Sequence, residues 1–518
     1  MPSISLIPKP VKSFSKKERL FGTGKSYFIF TAYGEGLPVG RRLKDEGNDV
    51  VACIVEDLAL CQPKKDRKDF EPETPEDKKR RMSLYDGILK KFPIDDVVEN
   101  LKNLPDKEKK DIRLFFDGNW MFHYAEQLMG LGYKGNFPTE KDRLFEADRE
   151  GGKKFVEENY DELKVAEVQE FKSAQDGIAF LEDSDDTWVL KGNSEGAETF
   201  VPKDADMPYQ SNQEIIDVLE KDPKPYEQNG FILERKITGA IELTPEIIFY
   251  DGEPICANVD IELKRLGAGD TGPMTGCSAD CVFPLDLDSR LAEIAFPAAV
   301  FEMAKEHEGM FTWDASVLIE PESGEMYFGE FCSNRNGYNA LYTELGFMNR
   351  VTDWFEAVYD GQNPYDRRIN DFAVSVRLFD LEKGDDGKAR VGELMSFPEE
   401  HGRHFWLMDA KMEKGNFVTA GSVATPAHAD IAVVTGRGND ILEAVDNCYE
   451  RIGQFSYPNI LYRPKHDFLS PCYPGSIVNR FHAANDVLFR ARKIDEEKLK
   501  GMLLGNNGSF LTDKVKGE

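Results

Sequence analysis

Lys264-Arg265-Leu266-Gly267-Ala268-Gly269-Asp270-Thr271-Gly272-Pro273-Met274-Thr275-Gly276-Cys277 puts four glycines, two adjacent cations and two threonine hydroxyls into one short stretch. Glycine admits positive φ and lets a ligand come close to main-chain N–H groups. Successive N–H groups in such turns form nests for anions. Lys264 and Arg265 add fixed positive charge beside them. Composition alone leaves two readings open: an anion-binding loop, and a charged surface turn between two strands.

The rest of the chain limits what such a loop could serve. At 518 residues, size priors give about three or four domains or subdomains. The composition is globular, with 41% hydrophobic, 11% aromatic and 31% charged residues. No run of about 18 apolar residues occurs, so no membrane span is expected. The start, MPSISLIPKPVKSFSKKERLF, lacks the long apolar region of a secretory signal. Eight cysteines are scattered (53, 61, 256, 277, 281, 332, 448, 472), which suits free thiols and a cytoplasmic location. The net charge of −29 excludes a general affinity for nucleic-acid backbone. It leaves room for a local basic pocket holding one phosphorylated small molecule.

Residues 1–20 read as a basic, flexible arm. A buried strand over 27–30, a turn at 32–36, a helix over 37–46 stopped by Gly47, and a strand over 50–55 make a βαβ start to a doubly wound α/β layer. The charged stretch 63–111 reads as an exposed insertion with one or two amphipathic helices. A strand over 112–116 ends in Asp117-Gly118-Asn119. Further strands are expected over 187–190, ending in Lys191, and over 231–233, ending in Glu234. Hairpins are expected around Asp251-Gly252 and around Glu322-Ser323-Gly324, with a helix over 289–306 between them. A third α+β unit runs over about 372–467. The tail carries a short helix near 496–504. Three decoys are set aside. Gly22-Thr23-Gly24-Lys25-Ser26 precedes a strand where a phosphate loop should follow one. The pairs His401/His404 and Cys277/Cys281 lack a second pair at metal-site spacing.

The segment KRLGAGDTGPMTG resembles the glycine-rich segment of the glycinamide ribonucleotide synthetases, phosphoribosylamine–glycine ligases of the ATP-grasp superfamily. The likeness extends in order from Ser26 to Asp467. Thr187 to Lys191 is similar to the family's phosphate-lysine strand. Phe231 to Ile237 is similar to the hinge that holds adenine. Glu330-Phe331 is similar to the magnesium strand, and ADIAVVTGRGNDILEAVDNCYERIGQF to the closing domain. The resemblance implies a multi-domain α/β and α+β architecture: an N-terminal α/β domain (21–140), an ATP-grasp domain (141–360) with a lid at about 180–240, a C-terminal α+β domain (366–470) and an extension (471–518). It implies ATP held by Lys191, Glu234, Lys236, Ile237 and Glu242. It implies Mg2+ held by Glu330, Asn334 and Glu320. The reacting groups would be met by Lys264, Arg265, Asp270, Thr271 and Arg335.

Such a ligase joins a carboxylate to an amine through an acyl phosphate, acting on small molecules as a monomer or homodimer. The sequence departs from the family at defined points. The lid after Lys191 has no second lysine and gains Glu195. Cys332 stands where the family has a metal-binding asparagine, and a neutral thiol is a poor magnesium ligand. The phosphoribosyl turn becomes Tyr33-Gly34-Glu35-Gly36-Leu37-Pro38. Three expectations follow: a ligase with an altered acceptor, a degenerate relative that binds a ligand or partner without catalysis, or glycinamide ribonucleotide synthesis itself.

Overall fold

Strand β1 (Ser26–Thr31) is buried along its whole length, which a parallel strand covered on both faces requires. It is central to a parallel sheet with β2 (Asp49–Ile54), β3 (Lys90–Lys91), β4 (Ile112–Phe116) and β5 (Lys134–Gly135), in the order β3-β2-β1-β4-β5. The computed structural model describes residues 25–61, 72–192, 199–203, 207–228, 230–334, 339–367, 371–422 and 430–491. The predicted arm and the tail helix near 496–504 lie outside them.

The helix Leu37–Asp45 starts with Pro38 in its first turn, where a missing N–H costs nothing. Gly36 N–H donates to Asp117 Oδ2 at 2.7 Å, tying the turn after β1 to the end of β4. A Cβ on Gly36 would sit 2.9 Å from that of Asp117, so the approach needs glycine. This is the crevice at the carboxyl ends of the strands where doubly wound sheets bind ligands. Burial pushes the Asp117 carboxyl up to about 7, against hydrogen bonds from Thr31 and Gly36. A carboxyl raised in the fold stabilises it below the unfolded value near 4, and that stability is lost as pH rises toward 7. Asp117→Asn is therefore expected to flatten the fall in urea midpoint between pH 5 and 7.5. An unchanged slope would show that Asp117 is ionised throughout.

The stretch 63–111 is not simply exposed. Ile94, Val97, Val98 and Leu101 recur at helical spacing on the helix Ile94–Lys102 and are buried. Leu84, Tyr85, Ile88 and Leu89 are buried as well, and β3 forms the sheet edge. Charged residues on the outer helix faces mask this periodicity in the composition. Residues 62–71 are outside the described part.

Downstream strands are β6 (Leu163–Lys164), β7 (Val168–Phe171), β8 (Trp188–Gly192), β9 (Phe231–Arg235), β10 (Ile241–Tyr250), β11 (Glu253–Gly267), β12 (Thr271–Leu285), β13 (Met310–Ile319) and β14 (Met326–Ser333). They are followed by β15 (Phe372–Phe379), β16 (Leu394–Met395), β17 (Phe405–Leu407), β18 (Lys411–Glu413), β19 (Asn416–Val418) and β20 (Asp430–Gly438). Strands β7-β9-β8 form a small antiparallel sheet. Helices Ala174–Glu182 and Pro208–Lys221 pack on it through Leu181, Trp188, Ile215, Leu219 and Phe231. A second three-stranded sheet has the order β16-β19-β18, and a nine-stranded sheet runs β17-β20-β15-β12-β11-β10-β13-β14-β6.

The expected separate C-terminal unit is thus continuous with the central sheet, because β15 pairs with β12. The hairpin β10–β11 turns at Asp251 (φ 48°) and Gly252 (φ 81°), as the Asp-Gly pair predicts. The helix expected over 289–306 is two helices, Arg290–Ala295 and Ala298–Ala304, parted at Pro297, which has no N–H to continue the first. The tail holds a helix the sequence reading missed, Ile477–Arg490, capped by Ser476 and buried through Ile477, Val478, Phe481, Ala484, Val487 and Leu488. No helix among the described residues is long and apolar enough to cross a membrane.

Candidate functional site

Four neighbouring strands of the large sheet and two of the small sheet bring five of the thirteen sequence-predicted residues together: Lys191, Glu234, Glu242, Lys264 and Glu330. Lys264 sits near the end of β11. Its Nζ lies 3.2 Å from Glu242 on β10, 3.2 Å from Glu262 on its own strand and 3.6 Å from Glu330 on β14. Glu262 and Lys264 are two apart, so the period of the strand puts both on one face. Burial pulls Lys264 toward the neutral form. Glu242, Glu262 and Glu330 outweigh it and hold the ammonium well above its ordinary pKa. Glu242 resists burial in the same way and stays below the usual carboxylate range, helped by Lys264 and by Ser316 Oγ at 2.6 Å.

A bulge aims Glu330. Ala315 pairs with Phe331 and Val317 with Phe328, leaving Ser316 opposite both Gly329 and Glu330. A Cβ on Gly329 would meet Ser316 Oγ at 2.5 Å, so the bulge needs glycine there.

Lys191 on β8 reaches this place from the small sheet. Its Nζ donates to Glu234 Oε1 at 2.6 Å and to Gly329 O at 3.3 Å. Glu234 on β9 also pairs with Lys153 from the helix Arg149–Asn159. Burial opposes the charge on Glu234, but Lys191 and Lys153 hold it below the usual range. Four carboxylates and three ammonium groups therefore line one junction between two sheets.

The other predicted residues lie elsewhere. Arg265 donates to Gly272 O at 2.9 Å and Val201 O at 2.6 Å. The glycine-rich stretch is the tip of the long hairpin β11–β12, with Gly269 (φ 64°) and Asp270 (φ 55°) in the turn. Asp270 is held by Arg463 at 3.0 Å, Arg480 at 3.1 Å and the Tyr473 hydroxyl at 2.7 Å. The Gly269 N–H, expected to meet a ligand anion, donates to the carboxylate of Asp467 at 3.1 and 3.3 Å. Thr271 Oγ1 donates to Ala268 O within the turn. Lys236 Nζ donates to Pro202 O, and Ile237 packs with Ala166 and Tyr327. Glu320 lies beyond the Ile319–Met326 pair at the hairpin turn, four residues along from Ser316, roughly 13 Å at strand rise. Asn334 is buried, with Nδ2 donating to Asn119 Oδ1 at 3.1 Å and Asp142 Oδ2 at 3.2 Å. Arg335 and residues 193–198 of the lid lie outside the described residues.

Sequence reasoning missed Glu262, Ser316, Lys153 and the Arg463–Arg480 clamp. Ile261-Glu262-Leu263-Lys264 does alternate apolar and charged, and that signal could have paired Glu262 with Lys264. Lys153 gave no comparable signal.

The donor chemistry can be tested against magnesium. Mg2+ takes hard oxygens, commonly one or two carboxylates with nucleotide phosphates completing the set. Glu330, whose side chain is 44% exposed, and Glu242 offer such oxygens beside one another. Among the described residues no three or more His, Cys, Asp or Glu are arranged to hold a metal without such help. The residues fit a metal that arrives with nucleotide phosphates.

No family model and no curated protein matches the chain in sequence. Solved structures do match in shape. The phosphoribosylamine–glycine ligase of Thermotoga maritima superposes with TM-score 0.54 at 15% identity, over 85% of this chain and 99% of that one. A biotin carboxylase of Campylobacter jejuni gives 0.53 at 12% identity, over 85% and 93%. The biotin carboxylase domain of Hydrogenobacter thermophilus 2-oxoglutarate carboxylase, in complex with MgADP, ADP and bicarbonate, gives 0.51 at 14%, over 93% and 96%. At these identities the likeness is one of architecture, and that architecture is plain: the chain has the multi-domain ATP-grasp fold.

Proposed function

We propose that the chain is an ATP-dependent carboxylate–amine ligase working through an acyl phosphate. The observation that carries this reading is the meeting of Lys191, Lys264, Glu242 and Glu330 at the junction of the small and large sheets. A substrate carboxylate attacks the γ-phosphorus of ATP, giving acyl phosphate and ADP. An amine then attacks the acyl carbon and expels phosphate. Phosphoryl transfer is mostly a matter of positioning and charge stabilisation. Lys191 and Lys264 neutralise phosphate oxygens, and the β9 hinge from Phe231 to Ile237 faces adenine. Glu330 and Glu242 would hold Mg2+, which would supply further charge neutralisation when bound. The lid is the small sheet with residues up to about 240, and the acceptor lies toward the Asp117 crevice of the N-terminal domain.

The finer reading is an amino acid such as glycine joined to a phosphoribosylamine-like acceptor, in the cytoplasm, by a monomer or homodimer. A second reading rests on a specific observation: Lys153, Lys191 and Lys264 are each already paired with carboxylates. A centre so neutralised suits a protein that binds a ligand or partner without turnover.

ADP release measured with glycine and phosphoribosylamine, then with a panel of amines and amino acids, separates these. Release with one amine–carboxylate pair, lost in Lys191→Ala, supports the ligase. Calorimetry showing no ATP binding would overturn it.

A further inference from the structure

Four arginines gather where the large sheet ends at β17 and β20. Thr435 and Arg437 are two apart on β20 and share a face. His404 immediately precedes β17, and its Nδ1 lies 3.3 Å from Thr435 Oγ1. Arg403 Nε donates to His404 Nε2 at 3.1 Å, and Arg451 Nη1 donates to Thr435 O at 2.7 Å. Arg437 and Arg42 meet on Asn349, whose Oδ1 and main-chain O each accept one bond at 2.9 Å. Four chain segments thus deliver one guanidinium each.

Carboxylates do not balance this charge. Among the described residues, the one acid within 4 Å of any of the four guanidinium groups is Glu46, 3.0 Å from Arg42. That carboxylate also accepts the N–H groups of Val351 and Thr352. Asp45 and Glu450 act from farther away. Burial and the charges of Arg403, Arg451 and Arg42 pull Arg437 down to about 10. Burial and the same four arginines hold His404 well below the usual imidazole range. A guanidinium carries five N–H donors in a planar fork. Arg403 is exposed and Arg451 half-buried, and each spends one donor on the bonds above. Arg437 has a structural duty too, since it binds Met348 O just past the helix Asn339–Gly346. Arg451 likewise holds Thr435 O, but Arg403, among the described residues, bonds only its neighbour His404, and both keep further N–H donors beyond these bonds. Three strand steps separate β20 from β11, roughly 14 Å, so the cluster is distinct from the Lys264 centre.

We propose that Arg42, Arg403, Arg437 and Arg451 form a binding site for a multiply charged oxyanion, phosphate or a phosphomonoester. Planar guanidinium forks match such oxygens, and an acidic chain has few other places where phosphate would settle. The test is calorimetric titration of the full chain in low-salt buffer with inorganic phosphate and with glycerol 3-phosphate. One saturable site is expected, weakened at least tenfold in the R403Q/R451Q double variant and kept in Lys191→Ala. Because Arg403 is exposed, R403Q alone serves as a milder probe should the double variant unfold. Tighter binding of the monoester assigns an organic phosphate, and equal binding assigns the free ion. Phosphate binding that is not weakened in R403Q, or that disappears in Lys191→Ala, overturns the proposal. So does a loss of self-association in R403Q without any phosphate binding by the parent, which would make the patch a contact between copies.

Discussion

Replacing Lys264 with methionine is expected to cut ADP release by at least about 10²–10³-fold, the scale on which removing one preorganised charge-stabilising donor acts. Among the described residues, Lys264 pairs with all three of Glu242, Glu262 and Glu330. Without it, three carboxylates face one another, and the triphosphate loses a positive partner while the site's repulsion toward it grows. The same change weakens the fold by like-charge repulsion. Adding Glu262→Gln should recover stability without recovering turnover. Single-turnover ADP release and the urea midpoint, read together on the single and double variants, separate the two effects. Near-normal turnover in Lys264→Met would remove Lys264 from phosphate handling.

Arg463→Ala is expected to cost about 3–5 kcal/mol of stability, the usual penalty for stranding a buried charge. Arg463 and Asp467 are both fully buried and lie 2.8 Å apart. Arg463 also meets Asp270 at 3.0 Å and the main-chain oxygens of Arg265 and Gly267. Burial already raises the Asp467 pKa, against the pull of Arg463. Losing the arginine raises it further. A carboxyl raised in the fold costs nothing below the unfolded value near 4 and most when it is forced to ionise, so the deficit should grow with pH. Urea midpoints at pH 5 and 8 test this, and Asp467→Asn in the Arg463→Ala background should relieve the pH-dependent part. A loss under about 1 kcal/mol at both pH values would mean that water reaches the pair.

How much of this was legible beforehand depended on whether the signal was local. The βαβ start, the Asp-Gly hairpin, and Lys191 and Glu234 at strand ends follow from short-range pattern, and the structure places them as expected. The central sheet was only half visible. Nothing near Phe372 says that β15 will pair with β12 and not found a sheet of its own. The glycine-rich stretch shows the limit best. Three of its four glycines, Gly269, Gly272 and Gly276, do adopt positive φ. The anion that the Gly269 N–H meets is Asp467, almost two hundred residues away, and no local reading supplies that. The helix Ile477–Arg490 is legible in its own apolar spacing, with Ile477, Phe481, Ala484 and Leu488 on one buried face.

Arg463 follows Gly267 by 196 residues and Arg480 follows Asp270 by 210. On a ribosome adding roughly 5–20 residues per second, the hairpin that carries Lys264 waits about 10–40 s for its clamp. During that interval its tip has neither the Arg463 bonds to its carbonyl oxygens nor the Asp467 carboxylate on its glycine N–H. Nascent chains, and chains cut short before residue 463, share that unclamped tip. Synthesis of the C-terminal segment is therefore the event that completes the loop lying at the middle of the sequence.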